Sequence, residues 1–250
     1  MLTKSRTDPR CRSFGPDMNS PDLRGNDPAP AAPAARHVVV LGHPSPGSFN
    51  HAIAERYCAT IRECGQEVVL RDLYALDFDP RLHADRRPGQ PGNRLAGDIA
   101  REIGMLREAQ AITLVYPLWF GMPPAIIKGY VDRVLGAALT PRDIAQHVPD
   151  SVLDGRRFST LSTSATTRPW LEAQGQWQAL HQAFDLYLVA VFGMRDGGHR
   201  HFDAIVDDLA EDYASEILLA VEAAARTACS EIGAERHAAA VATIMDESAG

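Results

Sequence analysis

The sequence predicts an α/β fold: a doubly wound, five-stranded parallel sheet of order 2-1-3-4-5 with helices on both faces. Three observations predict it. Short apolar runs, Val38-Val39-Val40-Leu41 and Ala111-Ile112-Thr113-Leu114-Val115-Tyr116, suit strands buried on both faces. Between such runs lie stretches with apolar residues spaced three and four apart, the period of a helix. The two kinds of segment alternate, which calls for parallel pairing through right-handed crossovers.

Each element carries its own signal. Val38 to Leu41 is the first strand and ends at Gly42. A turn-rich loop, His43-Pro44-Ser45-Pro46-Gly47-Ser48-Phe49, leads into a helix marked by Ile53, Tyr57 and Ile61 and stopped by Gly65. Glu67 to Leu73 is the second strand. Residues 80–93 form a polar connector, and Leu95 to Gln110 is a helix with Leu95, Ile99, Ile103 and Leu106 at helical spacing. Ala111 to Tyr116 is the third strand. Pro124 to Leu135 is a helix whose proline sits near its start, where a missing N–H does no harm. Phe158 to Ser162 is the fourth strand, and Trp177, Leu180, Phe184, Tyr187 and Val191 mark a long helix. A short fifth strand falls within residues 194–203. Ile205, Leu209, Tyr213 and Ile217 open the final helix, which runs to about Cys229.

The domain is therefore expected over residues 36–230, with a fraying, Ala-rich end at 231–250. Residues 1–35 hold six prolines and nine charged residues with almost no large apolar side chains, too little to offset the entropy of ordering. They are expected to be a disordered tail; translation from Met18 is the alternative account of the same composition.

Composition excludes several functional classes. With 250 residues, 45% apolar and 23% charged, the chain is neither disordered throughout nor low in complexity. A net charge of −7 with no local basic patch argues against nucleic acid. Ala109 to Ile127 lack charge over 19 residues, nominally a bilayer span. Pro117, Pro123, Pro124 and Gly121 break a helix there, so no membrane insertion is expected. Cys11, Cys58, Cys64 and Cys229 form no CxxC pair and suit a reduced, cytoplasmic protein. No apolar leader opens the sequence.

In such a sheet ligands bind at the carboxyl ends of strands, near the switch in strand order. Three loops fall there. His43 to Asn50 runs into a helix N-terminus, where unpaired N–H groups attract anions; Ser45, Ser48 and Asn50 add polar side chains, and capping by Ser48 or Asn50 is the alternative. GHPSPG at Gly42 to Gly47 is not the GxSxG of a hydrolase elbow. Leu118-Trp119-Phe120-Gly121-Met122-Pro123-Pro124 sets large aromatics in a stiff turn, as a lid on the core or as a platform for a flat cofactor, with backbone amides accessible at Gly121. Ser162-Thr163-Ser164-Ala165-Thr166-Thr167 is small and hydroxyl-rich, an ordinary turn or the rim of a polar ring system.

Tyr116 to Leu135, YPLWFGMPPAIIKGYVDRVL, resembles the hallmark segment of the NAD(P)H:quinone oxidoreductase family, a flavodoxin-like group that includes quinone reductases and potassium-efflux ancillary reductases. GHPSPGSFNHA (Gly42 to Ala52) resembles its phosphate loop and RDLYALDFDP (Arg71 to Pro80) its second-strand exit, so the likeness spans residues from about 37 to 203. The resemblance implies a flavodoxin-like fold and a non-covalent flavin, FMN or FAD. It also implies reduction by NAD(P)H, a quinone-like small-molecule acceptor, and a homodimer with each site at the subunit boundary. The chain lacks the longer C-terminal extension of the mammalian enzymes, which favours FMN. By match of position, the resemblance implies that His43, Ser48, Phe49 and Asn50 lie along the flavin phosphate and that Pro117, Leu118, Trp119 and Phe120 contact the isoalloxazine. Ser162, Thr163, Ser164 and Ala165 replace the family's Thr-Thr-Gly-Gly loop.

The chain also departs from that pattern. Trp170 and Gln176 stand where the mammalian enzymes carry a Tyr and a His that relay charge, so the resemblance assigns no catalytic residue. Two other readings remain beside the enzyme: a flavin-binding regulatory subunit of a membrane transport system, and a one-electron carrier. His199, His201 and Asp203 alternate along the fifth strand, which places them on one face without requiring a metal. Lys128 and Asp132 read as a solvated pair, Cys58 and Cys64 as apolar fillers, and His37 and His181 show no partner.

Overall fold

The computed structural model describes residues 34–83, 97–137 and 151–249, with side chains to residue 245. The expected tail up to residue 33, Cys11, Leu95 and most of the polar connector lie outside the described residues. Five strands form one parallel sheet in the order β2-β1-β3-β4-β5: β1 (Arg36–Leu41), β2 (Glu67–Asp72), β3 (Ala111–Pro117), β4 (Arg157–Thr163) and β5 (Arg195–Phe202). β3 is buried at every position, as its unbroken apolar run requires.

The helices divide between the two faces. On one face, α2 (Gly97–Glu108), α3 (Ala125–Tyr130) with its π-helical extension Val131–Leu135, and α5 (Gln176–Phe192) pack over Val38, Val40, Ile112 and Leu114. On the other, α1 (Phe49–Glu63) and α6 (Glu211–Ala249) pack over Val39, Leu41, Val115 and Leu161 through Ile53, Tyr57, Ile61, Ile217 and Val221. Strand alternation thus feeds two cores, one per face.

Three features differ from the sequence expectation. A short helix, α4 (Arg168–Ala173), precedes α5; its N-terminus is held by Asp203, whose carboxylate accepts from the Arg168 N–H at 2.6 Å. α5 is interrupted by a π-helical stretch, His181–Leu186. The last helix opens at Glu211 rather than Ile205 and continues to Ala249 instead of fraying after Cys229. The continuation is pinned to the sheet: Arg157 pairs with Glu231 at 2.9 Å and Glu235 at 2.7 Å, and Arg195 pairs with Glu235. Beyond these, alanine-rich sequence sustains the helix by propensity. Packing also begins one residue earlier than expected, since Ala35 is buried against Ala111 and Ile232.

β5 deserves its place because of one irregularity. Its register with β4 shifts between Phe158 and Thr160, leaving a bulge. Gly197 fits beside it only without a side chain, because a Cβ would meet the Ser159 hydroxyl at 2.2 Å. Past the bulge, Thr160 pairs with His199 and Ser162 with His201. Bulges of this kind re-aim side chains beside functional sites.

Candidate functional site

The carboxyl ends of β1, β3, β4 and β5 surround a cavity of about 790 Å³, within the range of small-molecule sites. Two backbone bonds draw its loops together: Gly42 N–H donates to Val115 O at 2.9 Å, and Leu118 N–H to Thr163 O at 2.6 Å.

The first wall is the start of α1. Ser48 is its N-cap by backbone, yet its hydroxyl bonds no backbone N–H; it meets Nδ1 of His51 at 2.8 Å instead. His51 Nε2 in turn meets Asp72 Oδ2 at 3.1 Å. The first-turn N–H groups of Phe49 and Asn50 have no carbonyl one turn behind them, and no acidic residue occupies that turn. A helix end in this condition attracts an anion. The Asn50 amide is committed elsewhere: it exchanges hydrogen bonds with Thr163 Oγ1 at 2.9 and 3.3 Å, tying α1 to the end of β4.

The second wall is a tight turn. Trp119 and Met122 exchange backbone bonds at 3.0 and 3.1 Å, and the residues between them, Phe120 and Gly121, have φ of 50° and 77°. Two positive φ values make a type I′ turn, natural for glycine and strained for phenylalanine by roughly 1–3 kcal/mol. The turn places Trp119 at the cavity mouth, edge-on to His43 with ring centroids 6.1 Å apart. His43 accepts from the Ser45 N–H through Nδ1 at 3.1 Å, and burial lowers its pKa.

The third wall is the end of β4, where Thr163, Ser164, Ala165 and Thr166 line the cavity. Of the residues singled out by sequence, His43, Ser45, Ser48, Phe49, Asn50, Pro117, Leu118, Trp119, Thr163, Ser164 and Ala165 line this one space. Three do not. Phe120 points away, wholly exposed, because the turn reverses between Trp119 and Met122. Gly121 faces Gln176, whose amide donates to its carbonyl at 3.2 Å. Ser162 lies beneath the surface, fully buried between two histidines.

The sequence reading missed a fourth wall, Ile205, Val206, Asp207 and Leu209 after β5. The rule that ligands sit at strand ends applies to that loop too, but β5 carries no apolar pattern that marks where the strand ends. His51 and Asp72 were missed as well, since the bond between them crosses from α1 to β2.

Behind the third wall lies a polar cluster. Ser162 Oγ is 2.6 Å from His199 Nε2 and 2.8 Å from His201 Nδ1. His201 Nε2 reaches Ser164 Oγ at 3.0 Å, and His199 Nδ1 reaches Asp185 Oδ2 at 2.7 Å. His181, without a visible partner in sequence, pairs with the same Asp185 oxygen at 3.2 Å. Asp203 bonds neither of the two histidines its spacing suggested, because β5 ends at Phe202 and its carboxylate turns to Arg168 and Tyr213. His37 likewise finds Gln66 at 2.7 Å, and Lys128 and Asp132 form the exposed pair expected of them.

Comparison with known proteins agrees with this architecture. Over 100 residues the chain is 42% identical to a Haemophilus influenzae protein named as an uncharacterised NAD(P)H oxidoreductase, covering 40% of this chain and 50% of that one. It is 35% identical over 120 residues to NAD(P)H dehydrogenase [quinone] 1 of Rattus norvegicus, 41% of this chain and 43% of that one. The chain thus spans about half the length of the curated relatives it matches. Among solved structures, an NAD(P)H:quinone oxidoreductase from Methanothermobacter marburgensis superposes with a TM-score of 0.66 at 21% identity, over 77% of this chain and 95% of that one. An FMN-dependent NADH-azoreductase from Bacillus anthracis, solved in complex with FMN, gives 0.58 at 15% identity, over 78% and 99%. At these identities the superpositions speak for the fold alone. Residues 35–226 match the sequence profile described as flavodoxin-like fold, and with that span, strand order and site position the chain belongs to the flavodoxin-like fold family.

Proposed function

We propose that the chain is an NAD(P)H-dependent flavin oxidoreductase that holds FMN non-covalently and reduces a quinone-like acceptor. The observation that carries this reading is the open start of α1. Its cap hydroxyl is spent on His51, its first-turn amides face a cavity of about 790 Å³, and no carboxylate lies in that turn. That donor set suits a phosphate monoester. Trp119, Pro117 and Leu118 give the same cavity an apolar edge for a flat ring, and Thr163, Ser164 and Thr166 give it a polar one.

A bound flavin supplies the two-electron chemistry, taking hydride from NAD(P)H and passing it on. The protein's part is to orient. The α1 amides fix the anionic end beside Ser48, Trp119 limits access of water at the mouth, and the β4 hydroxyls address the polar edge of the ring. FMN is preferred to FAD because the structural relatives named for a flavin are FMN proteins.

A second copy of the chain belongs to this reading. Trp119, Phe120 and Met122 are all exposed on one four-residue turn beside the cavity, and a fully exposed phenylalanine held at strained φ is readily explained when another subunit covers it. A cytoplasmic location belongs to the same reading, in which Cys58, Cys64 and Cys229 stay free thiols in a reducing compartment. No helix among the described residues is long and apolar enough to cross a membrane. The test is to purify the chain, identify the released flavin by chromatography, and follow NAD(P)H oxidation with and without a quinone. FMN release and quinone-dependent turnover support the proposal; a flavin-free chain without turnover contradicts it.

A further inference from the structure

The polar cluster behind the third wall is a continuous hydrogen-bonded path from the surface to the cavity, and donor counting gives that path a direction. Ser164 Oγ lies 2.6 Å from the Thr166 carbonyl, which can only accept, so Ser164 donates there. Its single proton is then spent, and His201 Nε2 must donate to it. His201 is neutral: burial, then His199, then Arg168 push its pKa down to about 4 against the opposing pull of Asp203. A neutral His201 with its proton on Nε2 accepts through Nδ1, so Ser162 donates to it. Ser162 therefore accepts from His199 Nε2. The other nitrogen of His199 faces the Asp185 carboxylate, which accepts. Both nitrogens of His199 thus carry protons, an imidazolium beside a carboxylate, and from its Nε2 onward every bond is donated toward the cavity.

We propose that His199, Ser162, His201 and Ser164 form a proton relay, fed from the surface through His181 and Asp185, that delivers one proton to the reduced acceptor in the cavity. This rests on the reading of the cavity as a reductase site. An acceptor that takes a hydride keeps a negative charge: a quinone becomes a hydroquinone monoanion. Ser164 turns from Thr166 and gives its hydroxyl proton to that oxygen, taking the Nε2 proton of His201. His201 takes the Ser162 proton at Nδ1, and Ser162 takes the Nε2 proton of His199. No electrons move along the path; His199 goes from imidazolium to neutral and the product from anion to neutral. Solvent supplies the next proton by way of His181, whose side chain is about one-third exposed, and Asp185; the His199 ring turns to take it on the bare Nε2, and that ring, the His201 ring and the hydroxyls then turn back.

The surroundings favour this use. His199 and Asp185 side chains are nearly inaccessible, and Trp177 lies over both rings, 4.8 Å from His199 and 5.3 Å from His201. The Arg168 guanidinium caps Trp177 at 4.6 Å. Water is thereby kept from short-circuiting the path. Asp185 and His181 sit on the π-helical stretch of α5, a distortion common at functional sites, and the β4–β5 bulge sets His199 and His201 opposite Thr160 and Ser162. The charged or titratable groups facing the two rings are His181 and Asp185 from α5, Arg168 from α4 and Asp203 from the end of β5.

The test combines a spectroscopic readout with a kinetic one on the full chain. Nitrogen-15 NMR of labelled histidines at neutral pH is expected to show both nitrogens of His199 protonated and His201 as one neutral tautomer with its proton on Nε2. A bare nitrogen on His199, or a proton on Nδ1 of His201, overturns the relay. Ser162→Ala cuts the path beneath the surface and leaves the cavity lining in place. With FMN bound it should slow quinone reduction by about tenfold or more, yet spare reduction of ferricyanide, which takes electrons without protons. His201→Gln, whose amide cannot pass a proton through, should give the same split. Equal loss with both acceptors, or no loss with quinone, overturns the relay. A wild-type chain that oxidises no NAD(P)H with either acceptor removes the reductase reading, and the purpose of the relay with it, even where the NMR pattern holds.

Discussion

Ser48 stands at the N-cap of α1 with its hydroxyl turned to His51 rather than to a backbone N–H. A residue that only capped the helix would tolerate Ser48→Asp, since aspartate caps as well as serine and its charge suits a helix N-terminus. It would also keep the tie to His51. A residue beside a bound phosphate would not tolerate it. Two such charges a few ångströms apart repel by roughly 1–4 kcal/mol at a partly exposed site, and about 1.4 kcal/mol is tenfold in affinity. We expect Ser48→Asp to remain folded by circular dichroism and to lose about tenfold or more in FMN affinity by fluorescence titration. Undiminished affinity would leave Ser48 its backbone role alone. The first loop was legible because its residue types and its place before a helix carry the signal locally. The direction of the Phe120 side chain was not, because it depends on a turn whose two positive φ values follow from the exchange of bonds between Trp119 and Met122.

The element that sequence conveys least well is β5. Its sequence, RDGGHRHF, has two glycines and four charged or ionisable side chains besides His201, and apolar patterning cannot announce a strand whose early residues face solvent at the sheet edge. Charge on such an edge discourages pairing with other chains. Alternation did place His199 and His201 on one face; it could not reveal that a bulge sets their register, because the bulge arises from the fit of Gly197 against Ser159. Gly197→Ala puts a methyl group 2.2 Å from the Ser159 hydroxyl and 2.8 Å from the Phe158 carbonyl. Relief requires the backbone to move, and overpacking of this kind costs roughly 1–3 kcal/mol. A lower urea midpoint is expected. An unchanged midpoint would show that the serine gives way freely and that the bulge is not held by this contact.

At the scale of the whole molecule, strand order, the two-faced core and the position of the cavity were all readable, because each follows from apolar periodicity and the alternation of elements. The long reach of α6 was not, since Arg157 and Arg195 meet Glu231 and Glu235 across some 40–80 residues of sequence. Burial of histidines leaves a further whole-molecule signature. His201 and His37 both have pKa values lowered by burial in the folded state, His201 to about 4, against about 6.5 unfolded. The unfolded chain therefore binds more protons in that window. The stability these groups contribute is fully present above about pH 6.5 and is lost as pH falls toward about 4. Between about pH 7 and about pH 5 the urea midpoint of the wild-type chain is expected to fall relative to that of His201→Gln; a wild-type midpoint that gains on the variant over that interval contradicts the assignment.

The central claim is that the cavity holds a flavin which NAD(P)H reduces. The most direct measurement is an anaerobic titration of the purified full chain with FMN, followed in the visible spectrum, then addition of NAD(P)H and afterwards of a quinone. The account predicts saturation at one FMN per chain, bleaching of the flavin absorbance by NAD(P)H, and its return with quinone. A chain that leaves the FMN spectrum unchanged at saturating concentrations, or binds FMN that NAD(P)H does not bleach, would contradict it.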